Sequence, residues 1–219
     1  MTLNEYFMAN RAAPAQMDKL WAEGWRHFGV LFFRYSTAEE GDALFHVTPL
    51  RVELARFALS SSQKRILRRN RDLQVVVRDT FVDTDKEALF DRHRKRFKHN
   101  VPESLDVFVS KQPASVPCRN QEICVYDGKR LLAMSFLDIG ETATSAVYAA
   151  FEPEEYKRSL GILTMLLAIE HSSTLGARYY YPGYAYREAG LYDYKKKFAG
   201  LQVLEWGIGW RAYEPEEAR

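Results

Sequence analysis

The amino-acid sequence predicts a mixed α/β fold, in which a small N-terminal subdomain precedes a larger domain built on a mixed β-sheet. Two observations carry this prediction. Three strand-like segments follow one another in the second half of the chain, and a long apolar helix then separates them from a tyrosine-rich strand. The 219 residues are enough to bury a core, and the 47% apolar content is typical of a globular protein. We place the subdomain at residues 1–80 and the larger domain at residues 81–219.

The N-terminal half is predicted to contain helices and strands in alternation. Apolar residues at helical spacings predict a helix over residues 17–28, and a strand is expected to follow in "GVLFFRY". A second strand is expected up to Ser60, where serines can cap a short basic helix that ends at Asn70. Alternation predicts a strand in "LQVVVRD", and an acidic first turn with a basic last turn predicts a helix in "DTDKEALFDRHRKRF".

The second half of the chain shows a clearer order of elements. The Asp127-Gly128 pair between two apolar runs predicts a β-hairpin, and a third strand is expected in "TSAVYAAF". The apolar run "SLGILTMLLAIEHSSTLG" predicts a helix buried against a sheet and ended by Gly176. A strand in "ARYYY" should lie parallel to the third strand, because such crossovers lie over the sheet, and should leave it at Pro182-Gly183. The last strand is expected in "QVLEWGIGWRAY".

This β-β-β-α-β order is that of the Gcn5-related N-acyltransferase (GNAT) architecture. The crossover helix begins directly after a strand, so backbone N–H groups near Ser159 and Gly161 could hold an anion or polarise a carbonyl group. Coenzyme-A-dependent members carry Arg/Gln-x-x-Gly-x-Gly/Ala at this turn. Here the pattern starts at Arg158, but Leu163 replaces the last small residue. A coenzyme-A-dependent N-acyltransferase stays an alternative, as does a helix N-terminus without a ligand.

A set of short motifs is shared with one known family. The motifs are Tyr126-Asp127, Leu137-Asp138, Ser145-Ala146-Val147-Tyr148, Phe151-Glu152-Pro153, Ser159-Leu160-Gly161, Tyr179-Tyr180-Tyr181 with Gly183-Tyr184, and Tyr194-Lys195 with Phe198. The stretch that contains them resembles the C-terminal domain of the aminoacyl-tRNA–protein transferases, the arginyl- and leucyltransferases of the N-end rule. The N-terminal half is similar to the bacterial leucyltransferase type, with Gly24-Trp25-Arg26, "TPLRV" and "SSSQKR".

The resemblance implies a reaction and its partners. An amino acid, arginine or leucine, would pass from charged tRNA to the α-amine of an acceptor protein that begins with an acidic residue. The aminoacyl-tRNA is the co-substrate, and no further cofactor is expected. Because the ester is already activated, positioning the amine and stabilising the oxyanion would supply most of the rate.

The resemblance also implies roles for individual residues. The hydroxyls of Tyr148 and Tyr180 would stabilise the oxyanion. Asp138 would hold an ammonium group, and Glu152 would take the amine proton, although an acid at a strand end is otherwise a turn or ion-pair residue. The expected substrate-binding residues are Gln63, Lys64, Arg65, Arg68, Arg69, Ser159, Gly161, Tyr184, Tyr194 and Lys195, of which the last three would hold the 3′-terminal adenosine or the aminoacyl group. The alternative for the basic segment at residues 63–70 is a solvated helix, and residues 92–99 are a further candidate tRNA surface.

One departure from the family concerns metal binding. The family usually carries a cysteine cluster between its Gly-Trp-Arg and Pro-x-Arg-Val segments, and some members hold a metal or iron–sulfur cluster there. That interval contains no cysteine in this chain, and His46 alone cannot make a site, so we predict no metal. Cys118 and Cys124 are expected to be buried thiols, with a disulfide between them as the alternative. Because the cysteine cluster is missing, a non-catalytic relative that binds tRNA or protein remains an alternative.

The net charge indicates little about partners, and the hydropathy indicates no membrane segment. The chain has 31 basic and 29 acidic residues, which gives a net charge of +2. The N-terminus lacks the apolar segment of a signal peptide, and no run approaches the roughly 18 apolar residues of a membrane span. We therefore expect a soluble, cytoplasmic monomer without a membrane partner.

Overall fold

The computed structural model describes residues 2–41, 43–97, 101–190 and 192–214. Within these ranges lie four α-helices, a three-stranded sheet and a nine-stranded sheet. The helices are α1 (Pro14–Ala22), α2 (Ser61–Arg69), α3 (Thr84–Arg94) and α4 (Leu160–Thr174). The strands are β1 (Asn4–Met8), β2 (Arg26–Phe28), β3 (Leu31–Tyr35), β4 (Thr37–Glu40), β5 (Ala43–Glu53), β6 (Gln74–Asp79), β7 (Asn120–Asp127), β8 (Arg130–Ile139), β9 (Ala143–Phe151), β10 (Tyr179–Tyr186), β11 (Leu201–Glu205) and β12 (Gly209–Ala212). No helix of the described ranges is long and apolar enough to cross a bilayer.

The strands form two sheets of defined order. β1, β3 and β2 make the small sheet, and the large sheet runs β12-β11-β5-β10-β9-β8-β7-β6, with β4 attached to β5. All neighbouring strands are antiparallel except β9 and β10, which are parallel and connected by α4. The hairpin, the third strand, the crossover helix and the parallel strand thus follow the predicted order. The predicted mixed α/β fold of the GNAT type is confirmed.

The helix predicted over residues 17–28 is shorter than expected. α1 ends at Ala22, and Gly24 then adopts a φ of 84°, a left-handed conformation that glycine tolerates. A Cβ on Gly24 would lie 2.7 Å from the ring of Trp206, so a larger residue does not fit at this turn. Residues 26–28 therefore form β2 instead of a last helical turn. The sequence predicts a strand up to Ser60, but β5 ends at Glu53, because a 3₁₀ turn follows it.

The tyrosine-rich strand does not leave the sheet at Pro182-Gly183, so this prediction is wrong. A bulge between Tyr180 and Gly183 keeps Pro182, which has no N–H group, within β10. The strand then continues to Tyr186 along β5. The last expected strand is in fact two strands, since residues 206–208 form a turn between β11 and β12.

The division of the chain at residue 80 remains a prediction. β5 and β6 both precede that position, yet both are strands of the large sheet. β5 lies between β10 and β11 and is hydrogen-bonded to each of them. Among the described strands before residue 80, β1, β2 and β3 are the ones that form a sheet of their own.

Helices α3 and α4 bury two separate apolar clusters against the large sheet. α4 contributes Leu163, Leu166 and Ile169 to one cluster, and α3 contributes Leu89 and Phe90 to the other. β8 supplies residues to both clusters and is buried at every position except its first. A strand covered on two faces requires apolar residues in succession, which explains why the sequence of β8 does not alternate.

A cluster of four charged side chains, two of which are fully buried, lies between β6, β7 and α3. The side chains of Glu122 and Lys86 are both 0% exposed, and Lys86 Nζ lies 3.2 Å from Glu122 Oε1. Arg78 Nε lies 2.7 Å from the same oxygen, and Asp83 Oδ2 lies 3.0 Å from Lys86 Nζ. Since a buried charge without a partner is strongly destabilising, the buried Lys86 and Glu122 depend on each other and on their two half-exposed partners.

Glu122→Gln should destabilise the fold, because it leaves the buried Lys86 ammonium group with Asp83 as its remaining acidic partner. We expect the free energy of unfolding, measured by urea denaturation, to fall by about 3 kcal/mol. The control is Glu170→Gln at an exposed position of α4, for which we expect a change within about 0.5 kcal/mol. Equal stabilities for the two variants would contradict this account of the cluster.

Candidate active site

The large sheet opens where β9 and β10 separate. The two strands pair over only three residue pairs, and the last pair is Ser145 with Tyr181. β9 then continues along β8, whereas β10 follows β5 after its bulge. Among the described strands, none pairs with the edge of β9 that faces β10 beyond Ser145. Residues 146–151 of β9 and residues 183–186 of β10 therefore do not pair with each other, and the region between them is the cleft of the candidate site.

Arg26 of β2 occupies the inner end of this cleft. Its guanidinium group donates hydrogen bonds to the Ser145 hydroxyl and to the Ala146 carbonyl group, at the point where the strand pairing stops. The side chain thereby takes over part of the hydrogen bonding that β10 no longer supplies. Burial lowers the pKa of Arg26, and the Tyr184 hydroxyl and the Asp138 carboxylate oppose that shift.

Lys195 reaches the same place from the C-terminal part of the chain. It lies in the 3₁₀ turn Asp193–Lys196, and its Nζ donates to the Tyr184 carbonyl oxygen at 3.1 Å. Gly183 has a φ of 97°, and a Cβ there would lie 3.4 Å from Lys195 Nζ and 3.7 Å from Arg26 Cζ. Burial, and after it the positive charge of Arg26, lowers the pKa of Lys195 to about 7. Gly183 thus allows two cations to approach the same point of β10.

Tyrosine side chains surround these cations. Tyr180 is 1% exposed and Tyr184 is partly buried, and burial raises the pKa of both hydroxyl groups. The Tyr184 hydroxyl donates to the Gly24 carbonyl oxygen at 2.6 Å, which ties β10 to the segment before β2. Tyr194 is 37% exposed, so part of its ring is accessible from solvent.

Tyr148 contributes a buried hydroxyl group without a partner. Its ring stacks on that of Phe108, with the ring centroids 3.8 Å apart. No hydrogen-bond partner for the hydroxyl lies among the described residues, and burial raises its pKa. The group therefore stays protonated at neutral pH and can donate. An unsatisfied buried hydroxyl costs about 1–3 kcal/mol, which a ligand that accepts its hydrogen bond would recover.

The two acids expected in the site have partners inside the protein. Asp138 Oδ2 lies 2.7 Å from His27 Nε2, and Asp138 Oδ1 accepts a hydrogen bond from Asn120 at 2.7 Å. Glu152 Oε2 lies 2.8 Å from Arg92 Nε. Both acids are 2% exposed. Their expected roles, holding an ammonium group and taking the amine proton, remain predictions.

His27, Cys118 and Asp138 are the one group of described residues whose ligand atoms lie close enough to hold a metal ion together, within 4.8 Å of one another. The 2.7 Å between His27 Nε2 and Asp138 Oδ2 is a hydrogen-bond length, shorter than the about 3.3 Å that separates two ligands of a tetrahedral zinc ion. Burial raises the pKa of the Cys118 thiol, whereas a metal binds the thiolate. Absence of a metal stays a prediction. Cys118 and Cys124 are buried free thiols, as expected.

The basic helix α2 lies beside the cleft. Ser60 and Gln63 form a capping box at its N-terminus, and the buried Gln63 side chain donates to the Lys197 carbonyl oxygen at 3.2 Å. At the other end, the Asn70 side chain donates to the Arg158 carbonyl oxygen at 2.9 Å. α2 therefore connects the segment that follows Lys195 with the segment that precedes α4. The predicted serine cap and the predicted end at Asn70 are confirmed.

The side chains of α2 that were expected to bind substrate divide into two groups. In the first group the side chains are hydrogen-bonded to the backbone: Arg69 donates to the Lys157 carbonyl oxygen and Gln63 to the Lys197 carbonyl oxygen. Lys64, Arg65 and Arg68 are exposed and have no carboxylate partner among the described residues. Together with Ser61 and Leu67, Lys64 and Arg68 line a surface groove of about 410 Å³. Of residues 92–99, Lys98 and His99 lie outside the described residues.

The start of α4 is explained by packing. Ser159 adopts a φ of 55°, and Gly161 lies against the Phe151 ring, where a Cβ would come within 2.8 Å of a ring carbon. This close contact accounts for the glycine without a ligand. Arg158 is held by Asp72 at 3.0 Å, so its guanidinium group is already paired.

Residues 85–205, more than half of the chain, match the family model described as "Arginine-tRNA-protein transferase, C terminus". The chain belongs to this transferase family. The matched range includes the diverging strands β9 and β10, the helix α4 and Lys195. Arg26, His27, Asp72 and the side chains of α2 lie before it.

Curated relatives of this transferase family member carry the name aspartate/glutamate leucyltransferase. The protein from Acinetobacter baumannii is 32% identical over 177 residues, which cover 76% of this chain and 64% of that protein. The protein from Leptospira interrogans is 28% identical over 193 residues, which cover 83% of this chain and 71% of that protein. The chain thus spans somewhat less than two thirds of the Acinetobacter relative.

Solved structures with a similar fold include FemX, at a TM-score of 0.55 and 10% identity, over 92% of this chain and 69% of that chain. The C-terminal domain of a putative lysylphosphatidylglycerol synthetase from Agrobacterium fabrum has a TM-score of 0.52 and 16% identity, over 85% of this chain and 56% of that chain. At such low identity the likeness concerns the fold alone.

Two residues of the cleft, Arg26 and Gly183, belong to the transferase motifs but were not among the predicted site residues. Arg26 stands in the Gly-Trp-Arg segment, and that motif was the signal that could have identified it. Gly183 was expected to end a strand, and its position between Arg26 and Lys195 depends on the bulge in β10. No local pattern in the sequence indicates that these two cations meet.

The Lys195 amine should titrate near neutral pH, because burial and the Arg26 charge both disfavour its protonated form. After reductive ¹³C-dimethylation, we expect one lysine NMR resonance with a midpoint near pH 7, in addition to the resonance of the N-terminal amine, whereas an exposed lysine titrates at about 10.4. The control spectrum is that of Lys195→Met, which should lack this resonance. A midpoint above about 9 would contradict the burial of the amine.

Proposed function

We propose that this chain transfers an amino acid, leucine in the first instance, from charged tRNA to the α-amine of proteins that begin with aspartate or glutamate. The observation that carries the proposal is the cleft at the separation of β9 and β10, where Arg26, Lys195 and several tyrosines converge beside the basic helix α2. Family membership supports aminoacyl transfer, and the names of the curated relatives support leucine and acidic acceptors. Transfer of this kind would mark the acceptor for degradation under the N-end rule.

In this mechanism the cleft positions the acceptor amine against the aminoacyl ester. The neutral amine attacks the ester carbonyl carbon, a C–N bond forms, and the carbonyl oxygen becomes negative. The bond to the ribose 3′ oxygen then breaks, and that oxygen leaves with the proton that the amine has lost. The unpartnered hydroxyl of Tyr148 is the donor best suited to the negative oxygen, with Tyr180 as the second expected donor. The accessible ring of Tyr194 offers a stacking surface for the terminal adenine.

The tRNA backbone would lie on α2. Lys64, Arg65 and Arg68 point into solvent without carboxylate partners among the described residues, as phosphate contacts require. Because α2 is bonded to the backbone of Lys197, a tRNA on these cations would have its 3′ end close to the turn that carries Lys195.

The protein should transfer leucine from leucyl-tRNA to peptides that begin with Asp or Glu, as measured by mass spectrometry of the peptide. Replacing leucyl-tRNA by arginyl-tRNA tests which amino acid is transferred. A thermal-shift assay with acetyl-coenzyme A tests the acyltransferase alternative, and we expect acetyl-coenzyme A not to stabilise the protein. The control peptides are blocked by N-terminal acetylation, which removes the nucleophile. A folded protein that transfers neither amino acid to any peptide would not be an aminoacyltransferase.

Replacing Lys64, Arg65 and Arg68 together by Gln should weaken binding of charged tRNA and reduce its dependence on salt. Each lost phosphate contact lowers the slope of log K against log salt by about 1. The measurement is filter binding across a salt series, and the control is Lys129→Gln at the turn between β7 and β8. An unchanged slope in the triple variant would exclude α2 from the tRNA surface.

A further inference from the structure

Arg26 and Lys195 form a pair of cations without an acidic partner. Among the described residues, no carboxylate lies within ion-pair distance of either group. Lys86 and Arg92, by contrast, are paired with Glu122 and Glu152. Two like charges brought together in a partly buried site destabilise each other, and the pKa of Lys195 is lowered by burial and by this repulsion.

Both cations retain hydrogen-bond donors after their contacts to the protein. The guanidinium group of Arg26 has five N–H donors, and two of its nitrogens bond to Ser145 and Ala146. The Lys195 ammonium group has three donors, of which one serves the Tyr184 carbonyl oxygen. The protein contacts therefore hold the two groups in place and leave donors for an anion.

We propose that Arg26 and Lys195 bind the side-chain carboxylate of the acceptor's N-terminal Asp or Glu. This inference rests on the function proposed above and names the part of the cleft that selects the acceptor. A carboxylate placed against both groups would pair with two charges that are otherwise unmatched, and the planar guanidinium group suits its geometry. An N-terminal Asn or Gln has the same shape and no charge, so it would leave both cations unpaired.

The position of the pair favours the acceptor's carboxylate over a tRNA phosphate. The two groups lie at the inner end of the cleft, beside Gly183 and the largely buried Tyr180, whereas the cations of α2 are exposed. The attacking α-amine must enter this cleft, and the carboxylate of Asp or Glu is only one or two methylene groups from the α-carbon that carries this amine. One residue can therefore present the nucleophile to the ester and the anion to the pair.

Lys195→Met tests the inference through acceptor choice. We expect kcat/KM for Asp and Glu peptides to fall by about 10- to 100-fold, while the much lower values for Asn and Gln peptides change little. The matched control is Lys197→Met, an exposed lysine two positions along, which should keep the wild-type ratio of Asp to Asn transfer. Circular dichroism and the melting temperature verify that the variants fold. An unchanged Asp/Asn ratio in Lys195→Met, while the wild type transfers leucine, would overturn the subsite and leave the proposed function intact.

A second measurement needs no turnover. In the wild-type protein, an Asp peptide should raise the pH midpoint of the ¹³C-dimethylated Lys195 resonance, because the carboxylate favours its charged form, and an Asn peptide should not. The groups that face Lys195 in the free protein are Arg26, the Tyr184 carbonyl group and the Tyr192 ring. A shift with the Asp peptide in a protein that transfers nothing would support the subsite and contradict the function. No shift, or a Lys195→Met variant that loses affinity for charged tRNA instead, would overturn the subsite.

Discussion

The guanidinium group of Arg26, held between two diverging strands, is the interaction on which the candidate site depends. Parallel strands normally continue their hydrogen-bond ladder, and an unpaired backbone edge inside a protein costs free energy. Here β9 and β10 part after three residue pairs, and Arg26 bonds to Ser145 and Ala146 where pairing ends. The small N-terminal sheet thus supplies the group that occupies the opening in the large sheet.

A buried network next to Arg26 explains how β2 holds that position. His27, its neighbour in β2, lies 2.7 Å from the Asp138 carboxylate of β8, and its other ring nitrogen lies 2.9 Å from the Gly29 carbonyl oxygen. The Asn120 side chain donates a hydrogen bond to the other carboxylate oxygen of Asp138. Buried charged groups are tolerated when their hydrogen bonds are complete, so this network fixes the docking of β2 on the large sheet. Asp138 therefore acts on the cleft through the placement of Arg26, in addition to any contact with substrate.

The elements that sequence analysis predicted correctly are those specified by local chemistry. The capping box of Ser60 and Gln63, the turn after Asp127 and the apolar helix α4 are each indicated by residues that are neighbours in the sequence. The path of β10 could not be predicted this way, because Pro182-Gly183 is a turn signal that a bulge and pairing with β5 override. The partners of Asp138 and Glu152 come from distant segments of the chain. The sequence around each acid therefore identifies the acid but does not indicate which group it pairs with.

The tyrosines of the cleft are suited to the place where the two strands separate. Residues beside an open sheet edge must pack against the protein on one side and tolerate polar groups on the other, and a tyrosine has an apolar ring with a polar tip. Tyr184 uses its hydroxyl to bind the Gly24 carbonyl oxygen and so supports β2, whereas the Tyr148 hydroxyl has no partner among the described residues. Burial keeps both hydroxyl groups protonated, so that both can donate and Tyr184 places no anion beside Arg26. The positive charge of the cleft is consequently not neutralised by its own tyrosines, and an acidic ligand is what remains to balance it.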